Sequence, residues 1–576
     1  MTVPAHGTTE VSLTLDPSKV PAGTTFSGHV VATDTATGTT VAHTGFALFK
    51  EAEMYDYTIT LTGRDGKPLS GNVALHTADS SESTLIAVDG EKTLRLPPGR
   101  YTATAYVEVP GDTADSLGQA LLISDETTLG DGHTSGTADL DATKVRKAYA
   151  VTERESEETQ AVFNRQRTYA NGTGVNWSTS WLLADMYDSL HLAPTKKVSD
   201  GSLRAFLHWR LREKVLDAAT GTGRDIELTP QPGTAYRDGS STLRTVYAGR
   251  GAAADYTGLD ARGKAVIVDR SEDVTATERA RTAADAGAPL LIVVNNTPGR
   301  LYQSYDGADG LTVASVRQGD GARPVSEAKS ESGRLHVRQQ QYPDYGYDLV
   351  QQFEDVVPDR SLAYRPDDGE PARVRTGVYA APGTLGYGGR YFIPAWGPGL
   401  GGDAYEQWSR TTTEYVTGGT TAVGSWYEQH TGLGAADGYF ERGETDSYTG
   451  GRQYDVAWFK PVQAARLGDT YVPYQTSTNT LNWNVAVWSG GDAGHVGAGG
   501  GTKQTTLYRG DAQLATFKAQ SGRAYNLTAG SYRLVATGQR TTAAWTGSTS
   551  TRTTWSFDYK PLPAGTARAD APMRRC

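Results

Sequence analysis

Between Gly263 and Asn296 the hydrophobic pattern changes period twice. Ala265, Val266, Ile267 and Val268 form a continuous apolar run ending at Asp269-Arg270, the signature of a strand buried on both faces. After a polar stretch, Ala276, Ala280, Ala283 and Ala284 recur at helical spacing through Ala286, and Gly287 is placed as a C-terminal stop. A second apolar run, Leu290 to Val294, ends in Asn295-Asn296. Strand, helix and strand within about thirty residues predict a βαβ unit with parallel strands and a crossing helix. A further strand is expected over Leu311 to Val316 and a short helix over Gly319 to Ser330.

Elsewhere the pattern alternates at period two. Thr9 to Leu15 and Phe26 to Ala32 read as strands, as do Tyr55 to Val109 with hairpin turns at Asp65-Gly66 and Asp89-Gly90. Leu207, Trp209 and Leu211 share one strand face, and His208 and Arg210 the other. Strand-like sequence resumes at Tyr347 to Val350 and Ala372 to Tyr379, so the α/β stretch reads as an insertion. From Tyr391 onward, short strands rich in Gly and Trp predict another sandwich or jelly-roll. The expected fold is mainly β: several β-sandwich domains with one inserted α/β domain. Its divisions are 1–52, 53–145, a β domain from 146–239 plus 341–390, the insert at 240–340, a C-terminal sandwich at 391–560, and a disordered tail at 561–576.

Composition narrows the classes. The 576 residues suit about four domains. Basic residues number 55 against 65 acidic, a net charge of −10 without long runs, which argues against nucleic acid as a partner. No stretch reaches the roughly 18 apolar residues of a membrane-spanning helix, so no membrane partner is expected. The single cysteine, Cys576, excludes intrachain disulfides and Cys-based zinc sites. The first residues, MTVPAHGTTEVSLTLDPSK, have no basic region, apolar run or cleavage site of a signal peptide. They read as the middle of a domain, so a truncation or misplaced start codon is expected there. The tail PLPAGTARADAPMRRC has no periodicity; a frayed terminus and a premature stop or frameshift fit it equally.

Gly263-Lys264, Asp269-Arg270, the Ala-rich Glu278 to Gly287 and Ile292 to Asn296 resemble, in this order, the protease-associated (PA) domain, over roughly residues 240–340. The resemblance implies a non-catalytic lid or access module attached to peptidases. The N-terminal VPAHGTTEVSLTLDPS resembles the closing strands of the fibronectin-like sandwich in large secreted subtilisin-like (S8) serine peptidases. Leu94 to Thr102, LRLPPGRYT, resembles a corner of carboxypeptidase-regulatory or transthyretin-like sandwiches, and EAEMYDYTITLTGRDGKP resembles the large subtilisin-like family. These resemblances imply an accessory region of such an enzyme. It would be extracellular or at the cell surface, meet a polypeptide substrate through a catalytic domain absent from this chain, and contact extracellular polymer.

No catalytic constellation accompanies them. The family's Asp-Thr/Ser-Gly, His-Gly-Thr-His and Gly-Thr-Ser-Met-Ala motifs are missing, and His6-Gly7-Thr8 imitates the second without its second histidine. There is no His-Glu-x-x-His, and the ten histidines are scattered; His76, His208, His336 and His430 read as surface or satisfied strand residues. Gly497 to Thr506 reads as a glycine-rich hairpin rather than a phosphate loop, and Gly547 to Ser550 as a hairpin turn. Tyr305 to Gly310 lacks the closing Glu of a calcium loop and reads as a solvated turn. No cofactor, metal or catalytic residue is expected. Trp483, Val485 and Val487 share a strand face that should meet the core, leaving Trp488, with Asn482 and Asn484, as the candidate exposed binding surface.

Two alternatives stay open: a stand-alone cell-surface protein binding carbohydrate or protein, and an acidic glycosidase. The latter needs two carboxylates about 5–10 Å apart in a cleft, and no local motif nominates them.

Overall fold

The computed structural model describes all residues except 1, 4–5, 15, 171–175, 235, 306–309, 368–369, 420–422, 433–438, 468–471, 493, 541–547 and 576. The chain forms two compact units, one of residues 1–107, 121–145 and 169–177, the other of 108–120, 146–168 and 178–576. The fold is mainly β with one α/β insert, as the periodicities predict. Among the described residues no helix is long and apolar enough to cross a membrane.

In the first unit, Thr24–Thr33 and Thr40–Lys50 pair antiparallel as a two-stranded ribbon. A lone ribbon has no opposing layer to cover its apolar side chains. Phe26 is accordingly 51% exposed, Val41 65% and Phe49 61%. Deleting residues 1–50 is therefore expected to raise the soluble yield several-fold; equal yields with and without them would refute this.

The rest of this unit is a two-layer arrangement. Ser135–Asp141, Tyr55–Thr62 and Glu91–Leu96 form one layer; Ser83–Asp89, Ser70–Thr77 and Gly99–Pro110 form the other. The layers join at the Asp89↔Glu91 pair, where Gly90 takes a φ of +69° that a side chain would strain. Tyr57 and Tyr101 meet between the layers at 5.6 Å. The Tyr101 hydroxyl donates to the Pro97 carbonyl at 2.9 Å, which pins the corner after the two prolines.

In the second unit, the strands Glu157–Thr168, Ser202–Arg212, Tyr345–Glu354, Arg410–Thr417, Pro371–Val378 and Gln453–Trp458 lie side by side in that order. A second sheet of Leu400–Gly401, Leu385–Pro394, Gly424–Gly432, Tyr439–Arg442 and Val496–Gly499 faces it. Phe206 of the first sheet packs edge-to-face on Phe392 of the second at 5.1 Å, and Trp426 closes on Phe392 at 5.2 Å. The expected boundary at 391 needs correcting, because it falls inside Leu385–Pro394, whose sheet completes this central sandwich. Apolar alternation marks the strands but not which sheet recruits them.

The α/β insert leaves between two strands that pair with each other, Ser202–Arg212 and Tyr345–Glu354, at the register Arg212↔Gly346. Its parallel strands run Gly239–Tyr247, Ala265–Asp269, Leu290–Val294 and Thr312–Val316. The last three are buried on both faces, which is why they read as continuous apolar runs, whereas Gly239–Tyr247 is largely exposed. The helix Ala276–Asp285 starts at Thr275, whose hydroxyl accepts from the Glu278 amide at 3.1 Å. It lays Ala280 and Ala283 against Val266, Val268, Leu291 and Val293, and Gly287 leaves it at a φ of +78°. The helix Gln318–Lys329 covers the opposite side, with Ala328 and Val325 on the Ile267 and Ile292 face.

The last sandwich pairs Ser521–Ala524, Thr480–Asn484, Tyr474–Thr476 and Arg568–Asp570 in one sheet and Ala512–Phe517, Thr502–Arg509, Gly530–Gln539, Ser550–Tyr559 and Arg574–Arg575 in the other. The tail expected to be disordered at 561–576 is thus corrected: Arg568–Asp570 pairs antiparallel with Tyr474–Thr476. Backbone hydrogen bonding to a sheet edge needs no apolar period, so its sequence gave no sign. The glycine-rich stretch is also no hairpin. Val496–Gly499 pairs with Tyr439–Arg442 and Thr502–Arg509 with Gly530–Gln539, so it crosses between sheets. Residues 306–309 of the candidate calcium turn lie outside the described residues.

Candidate functional site

The strand Ser202–Arg212 is buried on both faces: Leu207 and Trp209 on one side, His208 and Arg210 on the other. The second pair points between the sheets of the central sandwich. A buried charge is expensive unless paired, and the facing strands supply partners. Arg210 donates from Nε to Asp348 Oδ1 at 3.0 Å, from Nη1 to the Gly402 carbonyl at 2.9 Å and from Nη2 to the Arg390 carbonyl at 3.0 Å. Arg390, on the opposing sheet, reaches Asp348 Oδ2 at 2.9 Å, Glu414 Oε2 at 2.8 Å and Glu428 Oε2 at 2.6 Å. Arg212 pairs with Glu414 at 3.2 Å. His430 bridges Glu428 at 2.9 Å and Glu406 at 3.2 Å, and Glu406 holds Arg410 at 2.8 Å.

Burial alone would push the Asp348 carboxyl up, but Arg210, the His208 bond, Arg390 and Arg212 hold it well below the usual carboxylate range. Glu428 is brought down to about 2, against the effect of its burial, by Arg390 and His430. His430 goes the other way: burial opposes its charge, yet the bonds and fields of Glu406 and Glu428 raise it to about 9. His208 is lowered by burial despite its bond to Asp348. A histidine raised from 6.5 to about 9 on folding gives stability that is full below 6.5 and lost as pH rises through 9. The thermal transition of the second unit should therefore fall between pH 7 and 9.5, and His430→Gln should flatten that slope. A wild-type transition unchanged over this range would contradict the assignment.

The rim of this network opens into a cavity of about 370 Å³ between the central sandwich and the α/β insert. That volume is in the range of small-molecule sites. Arg212, Glu406 and Arg410 form part of its wall, with Tyr387 and Tyr405; the insert side contributes Leu228, Pro230, Tyr236 and Tyr302. The Tyr236 amide donates to Gln407 Oε1 at 3.1 Å, joining the two sides.

The strand Glu157–Thr168 provides the acidic wall. Its register against Ser202–Arg212 shifts between Glu158, opposite Leu211, and Gln160, opposite Arg210, leaving Thr159 as the extra residue of a bulge. Bulges re-aim side chains next to sites. Here Glu157, Glu158 and Gln160 all line the cavity, together with Asp185. Burial pushes Glu157 up to about 7, with Arg300 and Lys214 opposing, and Glu158 up to about 7, with Arg300 and Lys147 opposing. Asp185 is raised by burial as well. Carboxyl groups of this kind bind cations and exchange protons near neutrality.

Sequence reasoning missed both the network and the cavity. No local motif marks them, since their members lie on strands far apart in the chain. The one visible sign was charge on both sides of an apolar stripe at His208 and Arg210. Conversely, the expected exposed ring is corrected. Trp488 is 1% exposed, with the Arg540 guanidinium 4.2 Å from its ring centroid, and Asn482 is 8% exposed. Asn482 accepts from Arg523 at 2.6 Å and Asn484 from Gln520 at 3.2 Å. Strand alternation breaks at Val485, between Thr480–Asn484 and Ala486–Ser489, so Trp488 joins Trp483 and Val487 in the core. His76 and His208 are buried as well, whereas His336 remains exposed. Among the described residues no group of three His, Cys, Asp or Glu is placed to hold a metal.

Residues 237–324 match the PA domain family, so the α/β insert is a PA domain. No curated protein matches the chain. Solved structures similar to parts of it include the aminopeptidase from Aneurinibacillus sp. strain AM-1, at 18% identity over 30% of this chain and 40% of that one, TM-score 0.21. A zinc aminopeptidase from Bacillus subtilis is 23% identical over 26% and 34%, TM-score 0.18. A peptidase M28 precursor from Shewanella amazonensis SB2B is 10% identical over 27% and 39%, TM-score 0.18. The chain spans about two fifths or less of the length of these structures. At such TM-scores the likeness carries nothing further.

Proposed function

We propose that this chain is the non-catalytic accessory region of a secreted subtilisin-like serine endopeptidase. The PA domain at residues 237–324 is the observation that supports a protease-associated role. In this reading the PA domain and the sandwiches beside it position a catalytic domain encoded outside this chain and restrict the approach of bulky polypeptide substrates. The work is extracellular or at the cell surface, where the outer sandwiches also touch polymeric material. The subtilisin-like assignment rests on the N-terminal strand sequences and the LPPGRYT corner.

The test is the DNA upstream of Met1. An in-frame extension encoding a His-Gly-Thr-His and a Gly-Thr-Ser-Met-Ala motif supports the reading, and an in-frame stop close to Met1 refutes it. A serine-reactive fluorophosphonate probe adds a check on the protein itself. Labelling of the purified chain would contradict a non-catalytic role.

A further inference from the structure

We propose that a depression on the outer face of the central sandwich binds a neutral saccharide. Its volume is about 310 Å³, at the lower end of the range of small-molecule sites. The register of three neighbouring strands makes its floor: Thr411, Gly377 and Ala457 stand side by side on Arg410–Thr417, Pro371–Val378 and Gln453–Trp458. These positions face away from the buried network, since the adjacent Thr376 turns inward to Glu414 at 2.8 Å. Two residues along the same face are the register partners Arg375 and Asp455. Two residues the other way is Tyr379. Asp492 closes the free edge: its Oδ2 accepts from the Ala457 amide at 2.6 Å, and Lys460 Nζ stands 3.7 Å from its Oδ1. All of these groups therefore surround one patch of floor at Gly377 and Ala457.

Two features name the ligand. The first is charge. Arg375 faces Asp455 at 3.7 Å and Lys460 faces Asp492 at 3.7 Å, so an ion of either sign meets repulsion as well as attraction. Both separations exceed hydrogen-bond length, and the side chains of Arg375, Asp455 and Lys460 make no hydrogen bond elsewhere among the described residues. A hydroxyl group fits such a gap, because it accepts from the cation and donates to the carboxylate at once; an ammonium or a carboxylate can do only one of these. The second feature is Tyr379, which is 42% exposed. A Cβ on Gly377 would stand 3.2 Å from its Cε2, so the glycine gives the ring room to lie over the backbone beside the paired charges. An aromatic surface next to donors and acceptors suits a pyranose, which has apolar C–H faces and a rim of hydroxyls.

The wall is also set in advance. The fully buried Glu441 accepts from the Phe459 and Gly490 amides, and the Gly491 amide donates to the Lys460 carbonyl at 2.8 Å. These bonds fix the segments that carry Lys460 and Asp492, which lowers the ordering cost of binding. The inference concerns this chain alone and stands whether or not the peptidase reading does.

Calorimetric titration of the whole chain with cellohexaose, maltohexaose, mannohexaose and N-acetylchitohexaose tests it, with free alanine as the zwitterionic control. Saturable one-to-one binding of at least one of these saccharides, and none of alanine, is the expected result. Tyr379→Ala should weaken it about tenfold or more, and Asp455→Ala about threefold or more. Both side chains are exposed, that of Asp455 by 83%, so melting should stay at the wild-type value. The inference is overturned if no saccharide binds, or if alanine binds as tightly as the best of them. It is also overturned if folded Tyr379→Ala binds as tightly as wild type; should that variant not fold, Asp455→Ala decides alone.

Discussion

Asp348→Asn is expected to destabilise the second unit by about 3–5 kcal/mol, the usual cost of removing one member of a buried ion pair. The side chain is fully buried, and its two oxygens take Arg210, Arg390 and His208. Four arginines (Arg210, Arg212, Arg390 and Arg410) and the protonated His430 face four carboxylates (Asp348, Glu406, Glu414 and Glu428), five positive against four negative. Asparagine keeps the shape but turns that balance from +1 to +2 around a fully buried position, and points an amide N–H at one of the guanidinium groups. Urea denaturation followed by tryptophan fluorescence measures the loss. A change below about 1 kcal/mol would mean that the network is hydrated or dispensable, contrary to its geometry.

Trp488→Ala should cost about 3–5 kcal/mol in the transition that unfolds the C-terminal sandwich, as a large-to-small change in a packed core does. The indole is 1% exposed within a cluster that includes Trp483, Val487, Leu534 and Trp555. Arg540 lies 4.2 Å from its ring centroid, and a Cβ at Gly538 would stand only 2.9 Å from the ring. Truncation leaves an indole-sized void, and the guanidinium would also lose its aromatic face. Phe at this position should recover part of the loss. A Trp488→Ala protein with unaltered unfolding would place the ring back at the surface.

The PA domain was the most legible part of the chain, and the reason is physical. Strands buried on both faces need continuous apolar runs, and a helix packed close on them needs alanines at a spacing of three to four; both constraints are local and leave a readable period. The turns at Asp65-Gly66 and Asp89-Gly90 were readable for a similar reason, because turns with positive φ select glycine wherever they occur, as at Gly66 with +77°.

Sequence alone thus determined the mainly β class, the α/β insert, its place between β segments and the absence of the familiar peptidase motifs. Only the tertiary structure decided the rest. It assigned Leu385–Pro394 and Gly424–Gly432 to the central sandwich, turned Trp488 inward, and paired the tail strand Arg568–Asp570 with Tyr474–Thr476. It also brought Asp348 to Arg390 and Glu157 to the wall shared with Tyr302. Which strand lies opposite which is settled by contacts between residues tens to hundreds of positions apart, and a charged side chain on a strand looks the same in sequence whether water or a buried partner awaits it.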